Sequence, residues 1–145
     1  MEKREPIAEI KEKVDAMVIK EFNQNGAVVQ YNSSGEVKGR YHGIHMETTD
    51  VTFKMDGTLD WQARAVEATK EGDNIMITGS GTGMMQAESY KGNIRGQVVY
   101  MSNSSRLNWI NNLRADVDGE FDMKDKELSM KIYLAMQQQV SSPAM

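Results

Sequence analysis

Apolar and polar side chains alternate along most of this chain, and a period of two suits a segment to a half-buried β-strand. From Leu107 the odd positions read Leu107, Trp109, Asn111, Leu113, Ala115, Val117, Gly119 and Phe121. The even positions read Asn108, Ile110, Asn112, Arg114, Asp116, Asp118 and Glu120, so one face is apolar and the other largely polar. Leu59, Trp61, Ala63 and Ala65 repeat the pattern, as do Ile94, Gly96, Val98 and Tyr100. So do Leu128, Met130, Ile132 and Leu134, then Val51, Phe53 and Met55, and Ile75 with Ile77. Val37, Gly39, Tyr41, Gly43 and His45 read as one further strand.

Polar or glycine-rich turns separate these runs at Ser33-Ser34-Gly35, Asp56-Gly57, Glu71-Gly72-Asp73-Asn74 and Lys124-Asp125-Lys126. Proline occurs only as Pro6 and Pro143, so no central strand is interrupted. The expected fold is all-β: an antiparallel, up-and-down meander of about eight strands, closed into a barrel because closure removes exposed edges. An open sandwich is the alternative. Only the first segment departs from the period of two. Ile7, Ile10, Val14, Met17 and Val18 have helical spacing among Glu, Lys and Ala, which predicts a short N-terminal helix or arm over 7–22. A length of 145 residues suits one domain, placed at 1–136, followed by a flexible tail at 137–145.

Charge and residue types narrow the function. Seventeen basic against 21 acidic residues give a net charge of −4, with no basic stripe, which argues against nucleic acid as a partner. No apolar run reaches about 18 residues, so no membrane insertion is expected. The start of the chain lacks the apolar stretch of a signal peptide. With no cysteine, disulfides, thiolate metal sites and a cysteine nucleophile are excluded, and a cytoplasmic location is the expectation. Twelve methionines are many, and Met fills irregular apolar space, in a core or in an adaptable ligand cavity.

Thr78-Gly79-Ser80-Gly81-Thr82-Gly83 could cradle phosphate through backbone amides. It lacks the following helix, and no Walker lysine is present, so a strand bend is the plainer reading. His42 and His45, three apart on a strand, face opposite sides, and no conventional metal site is expected. Inside a barrel, His45 shares a face with Tyr41 and Glu47, Glu67 follows Ala63 and Ala65, and Asn111 lies between Trp109 and Leu113. Glu67, His45 and Tyr41 are therefore the candidate catalytic set. Trp61, Trp109, Asn111 and Tyr100 are the candidate ligand-binding set. A carboxyl buried in such a place is harder to ionise and can exchange a proton near neutrality. The plainer reading is a wet strand end at Glu67 and an Asn111 that satisfies a neighbouring backbone group.

Three stretches carry a family resemblance: Gly35-Glu36-Val37-Lys38-Gly39-Arg40-Tyr41, Gly79-Ser80-Gly81-Thr82-Gly83, and the run from Tyr90-Lys91-Gly92 to Gly96-Gln97-Val98-Val99-Tyr100. In this order they resemble the small calycin-like barrels related to allene oxide cyclase and dirigent proteins, most of all a bacterial branch of unknown function. The likeness covers residues 26–135 and lies in glycine and turn patterns, so it transfers no catalytic residue. It implies an eight-stranded barrel with a central cavity, often in homo-oligomers, whose plant members isomerise or couple hydrophobic substrates without a cofactor.

Three functions follow as expectations. The first is a module binding a small apolar or amphipathic ligand. The second is a cofactor-free isomerase or cyclase using an acid–base pair. The third is a structural or oligomerising domain with a filled interior.

Overall fold

The computed structural model describes residues 4–135. Its eight strands are β1 (Ala8–Asn23), β2 (Gly26–Gly39), β3 (Gly43–Lys54), β4 (Thr58–Thr69), β5 (Asn74–Met85), β6 (Lys91–Met101), β7 (Arg114–Asp122) and β8 (Glu127–Leu134). Each pairs antiparallel with the next, and β8 pairs back to β1, so the meander closes into a barrel in strand order. Among the described residues no helix is long and apolar enough to cross a membrane. The expected tail at 137–145 lies outside them.

The period of two places the core. Trp61, Ala65, Ile77, Val98, Val117 and Ile132 are buried inside the barrel. A short 3-10 helix, Ser105–Ile110, joins β6 to β7 and buries Leu107 and Ile110 against that core. It covers one end of the barrel, where Ser104 and Arg106 reach Asp73 in the β4–β5 turn. At the opposite end β1 outruns β8. Their pairing stops at Lys13↔Glu127, and the rest of β1 pairs only with β2, as an arm exposing Met17, Val18, Ile19 and Phe22.

Four local expectations are corrected. Residues 7–22 form no helix; they supply the first strand, whose inward face is Ala8, Ile10, Glu12 and Val14. The buried carboxyl at 12 breaks the apolar alternation and leaves Ile7, Ile10 and Val14 looking helical. Ser33-Ser34-Gly35 runs straight through β2. The stretch from Val37 to His45 is a hairpin, with Tyr41 and His42 in its turn. Residues 107–113 are not strand, so the alternation that put Trp109 inside fails there. Trp109 is 40% exposed, with the Arg40 guanidinium 5.8 Å from its ring centre.

That placement sets an expected result: Trp109→Ala costs about 1 kcal/mol in urea unfolding, the scale of an exposed cation–π contact. A cost of several kcal/mol would mean that Trp109 belongs to the core.

Methionine is used both inside and outside: Met130 is buried in the core, whereas Met46, Met76 and Met101 lie on the outer wall. With Val66 they form one row across β3 to β6, through the pairs Met46↔Val66, Val66↔Met76 and Met76↔Met101.

Candidate functional site

One rung of the barrel carries three buried ionisable side chains, Glu12, His45 and Glu67. Glu12 on β1 pairs with Gly35 on β2, Gly35 with His45 on β3, and His45 with Glu67 on β4. Glu12 and His45 stand two strands apart, yet Glu12 Oε2 lies 3.7 Å from His45 Nε2. The residue between them is glycine, and a Cβ on Gly35 would come within 1.8 Å of the Lys11 carbonyl oxygen. Only a residue without a side chain lets β1 and β2 close this tightly.

Around His45 both ring nitrogens are engaged. Nδ1 lies 2.6 Å from Glu67 Oε2, and Nε2 lies 2.8 Å from Glu47 Oε1. The Tyr41 hydroxyl donates to the other oxygen of Glu67, and the Thr49 hydroxyl donates to the other oxygen of Glu47. His45 and Glu67 are buried, and the Glu47 side chain is 6% exposed. The two oxygens of Glu12 and the hydroxyl of Tyr100 are buried with no hydrogen-bond partner by geometry.

Burial and neighbours sort these groups by charge. Burial, reinforced by the Glu47 carboxylate, pushes the Glu12 carboxyl up to about 9. An ionised Glu12 would have no donor to meet; protonated, it is itself a donor and can serve Glu47. Burial works against a cationic His45, but the carboxyls of Glu47 and Glu67 outweigh it and raise the imidazole to about 10. Burial would also raise Glu47, but the hydrogen bond from His45 and its positive charge win and hold that carboxyl below its usual range. Burial lifts the hydroxyls of Tyr41 and Tyr100 above the ordinary phenol range, so both stay protonated as donors.

The cluster is the floor of a cavity of about 280 Å³. His45, Glu47, Thr49 and Tyr100 border it, and above them the walls are apolar, among them Trp61, Ala63, Val98 and Met130. Asp15, Met17, Met123 and Lys126 border it where β1 parts from β8. The Trp61 N–H donates to the Thr82 carbonyl at 3.2 Å, and the indole lies across the glycine path of β5 and β6. A Cβ on Gly96 would come 2.6 Å from the ring, and one on Gly81 would come 1.9 Å from the Arg95 carbonyl oxygen. The glycine run 79–83 is thus a place of close backbone approach within β5.

Glu67, His45 and Tyr41, predicted as a set, are indeed joined by hydrogen bonds, but only His45 borders the cavity. Trp61 and Tyr100 line it; Trp109 and Asn111 do not. Asn111 is exposed and accepts a hydrogen bond from the Ser102 backbone N–H at 3.1 Å. Sequence reasoning missed Glu12, because its segment read as helix. The available signal was its even spacing with Ala8, Ile10 and Val14. The expectation of no conventional metal site rests on the absence of cysteine and on two histidines that face apart. They do face apart, with His42 exposed, but Glu12, His45 and Glu47 place potential ligand atoms within 4.8 Å of one another.

No protein-family model matches the chain, and no curated protein does. Solved structures share its fold. A protein of unknown function from Clostridium acetobutylicum ATCC 824 matches with a TM-score of 0.78 and 17% identity, over 92% of this chain and 99% of that one. A β-barrel-like protein from Acinetobacter baumannii AYE matches with a TM-score of 0.74 and 15% identity, over 91% and 94%. An enzyme from Penicillium herquei matches with a TM-score of 0.60 and 20% identity, over 91% and 99%. At these identities the likeness establishes the barrel and nothing about chemistry.

Proposed function

We propose that the protein is a binding module for one small, mainly apolar molecule that carries a polar atom, taken into the barrel with that atom at the floor. The observation that carries this reading is the segregated lining: apolar walls rise from a floor of His45, Glu47, Thr49 and Tyr100. An apolar cavity of about 150 Å³ holds benzene, and drug-sized ligands take about 300–1,000 Å³. A cavity of about 280 Å³ therefore suits a bicyclic aromatic or a short acyl chain. The resemblance to the allene oxide cyclase and dirigent group, whose barrels hold hydrophobic substrates, supports the same reading.

A cofactor-free isomerase is the second reading. His45 favours it, because it borders the cavity with a carboxyl on each ring nitrogen, the arrangement of a proton relay. In that reading Glu67 and Tyr41, which lie behind His45, act by positioning it.

The test uses Trp109→Phe, which leaves Trp61 in the cavity as the single tryptophan. Titration with 2-naphthol and with octanoate should change Trp61 fluorescence saturably for at least one of them. Ala65→Phe, which fills the cavity, should abolish the change. A flat response to both probes, with no small molecule released on denaturing the purified protein, would overturn the binding reading and leave the filled barrel.

A further inference from the structure

We propose that Glu12, His45 and Glu47 form a binding site for one divalent first-row transition-metal ion, with an open position facing the cavity. The argument starts from His45. Its Nδ1 lies 2.6 Å from the Glu67 carboxylate, which leaves Nε2 pointing at Glu12 and Glu47. A histidine that ligates through one nitrogen and donates the other N–H to a carboxylate is the usual arrangement at protein metal sites. Glu47 is held in the same way, because Thr49 donates to the oxygen that His45 does not use. Tyr41 in turn anchors Glu67. Each ligand on β3 thus has an outer partner fixing its orientation.

Glu12 supplies the independent observation. Its side chain is fully buried, points at His45 Nε2 and has no donor within reach of either oxygen. A buried carboxyl without a donor is costly, and a cation between it and its two neighbours would satisfy it. The spacing fits. Ligands held tetrahedrally at about 2.0–2.2 Å stand about 3.3–3.6 Å from one another. Here Nε2 is 2.8 Å from Glu47 and 3.7 Å from Glu12, so shifts of about half an ångström seat an ion. One imidazole and two carboxylates suit zinc, cobalt, manganese or iron better than calcium or magnesium, which favour all-oxygen shells. His45 and Glu47 border the cavity, so a fourth position opens toward whatever the barrel holds. The proposal stands on these three side chains and does not depend on the ligand reading.

The experiment titrates chelator-stripped, full-length protein with Co2+ and follows visible d–d absorption, then displaces the cobalt with Zn2+. One equivalent of Co2+ is expected to bind with tetrahedral or five-coordinate bands and to be displaced stoichiometrically. Glu12→Gln, which keeps the shape and removes a buried acid, should weaken binding beyond the about 10–100-fold lost with an outer partner, and Glu67→Gln should weaken it within that range. Glu9→Gln, on the exposed face of β1, should change nothing. Absence of a cobalt spectrum at millimolar Co2+, or a spectrum unchanged in Glu12→Gln, would overturn the site. Running the Trp61 titration with chelator present reads failure of the metal site and failure of ligand binding separately.

Discussion

Gly35→Val is expected to cost more than the about 1–3 kcal/mol of ordinary overpacking and to lower the melting temperature by about 10 °C or more. The obstacle is not a side chain that can turn aside. A Cβ at 35 would stand 1.8 Å from the Lys11 carbonyl oxygen and 2.8 Å from the Glu12 Cα, both backbone atoms of the neighbouring strand. Relief requires β1 to move away from β2, which breaks their ladder and carries Glu12 away from His45. Gly57→Ala is the control. Gly57 lies in the β3–β4 turn at φ +90° with nothing near its missing Cβ, so alanine there costs about 1–2 kcal/mol in backbone strain and nothing else. Differential scanning calorimetry of the two variants separates the cases. Equal shifts would show that close strand approach at position 35 is not what holds the barrel shut.

The closed barrel was legible because most of the interior obeys one rule. Inward residues on β6, β7 and β8, and on β4 as far as Ala65, are apolar or glycine at every second position, and the short turns at 56–57, 71–74 and 124–126 fix the order of neighbours. The rule fails where the interior has another task. At Glu12 a polar residue takes an inward place, and a strand reads as a helix. At Ser33-Ser34-Gly35 the small residues that let β1 approach read as a turn. At Tyr41 the chain turns while keeping the ring inside, so two strands read as one. Glu12, Gly35 and Tyr41 all belong to the polar rung or its support, as expected where local pattern and global fold disagree. Trp109 fails for a different reason. Its neighbours Asn108, Asn111 and Asn112 favour turns, with Asn112 at φ +65°, and this local preference overrides a coincidental alternation.

Proximity on the site was partly legible. Register across β3 and β4 follows from the hairpin turn at 55–57, and it places His45 opposite Glu67 once both strands are assigned. Contact between β1 and β3 could not be read this way. It depends on a closing seam between the first and last strands and on how far a glycine lets two strands lean together.

His45→Ala is expected to cost about 3–5 kcal/mol at pH 7.5, because it removes the one cation among three buried carboxyls. The same network gives the chelator-treated protein an unusual pH profile. Glu12 titrates at about 9 in the fold and 4.5 ordinarily; His45 titrates at about 10 in the fold and 6.5 ordinarily. Both folded values lie above the unfolded ones, so the folded state holds the extra protons. Their contribution is complete below the unfolded values and is lost as pH rises, from about 4.5 to 9 for Glu12 and from about 6.5 to 10 for His45. Each proton steepens the fall by up to about 1.4 kcal/mol per pH unit. Glu47 acts in the opposite sense: its folded value is depressed, so its contribution is present above 4.5 and lost in acid. Stability should therefore peak near pH 4.5 and decline through neutrality, more steeply above about 6.5. Glu12→Gln, with no proton to lose, should flatten the decline between pH 5 and 9, and His45→Ala should lose least at low pH, where the carboxyls are protonated. Urea unfolding by circular dichroism across pH 4 to 10 reads all three. A wild-type profile that rises from pH 6 to 9 would mean that Glu12 and His45 do not hold their protons inside the barrel.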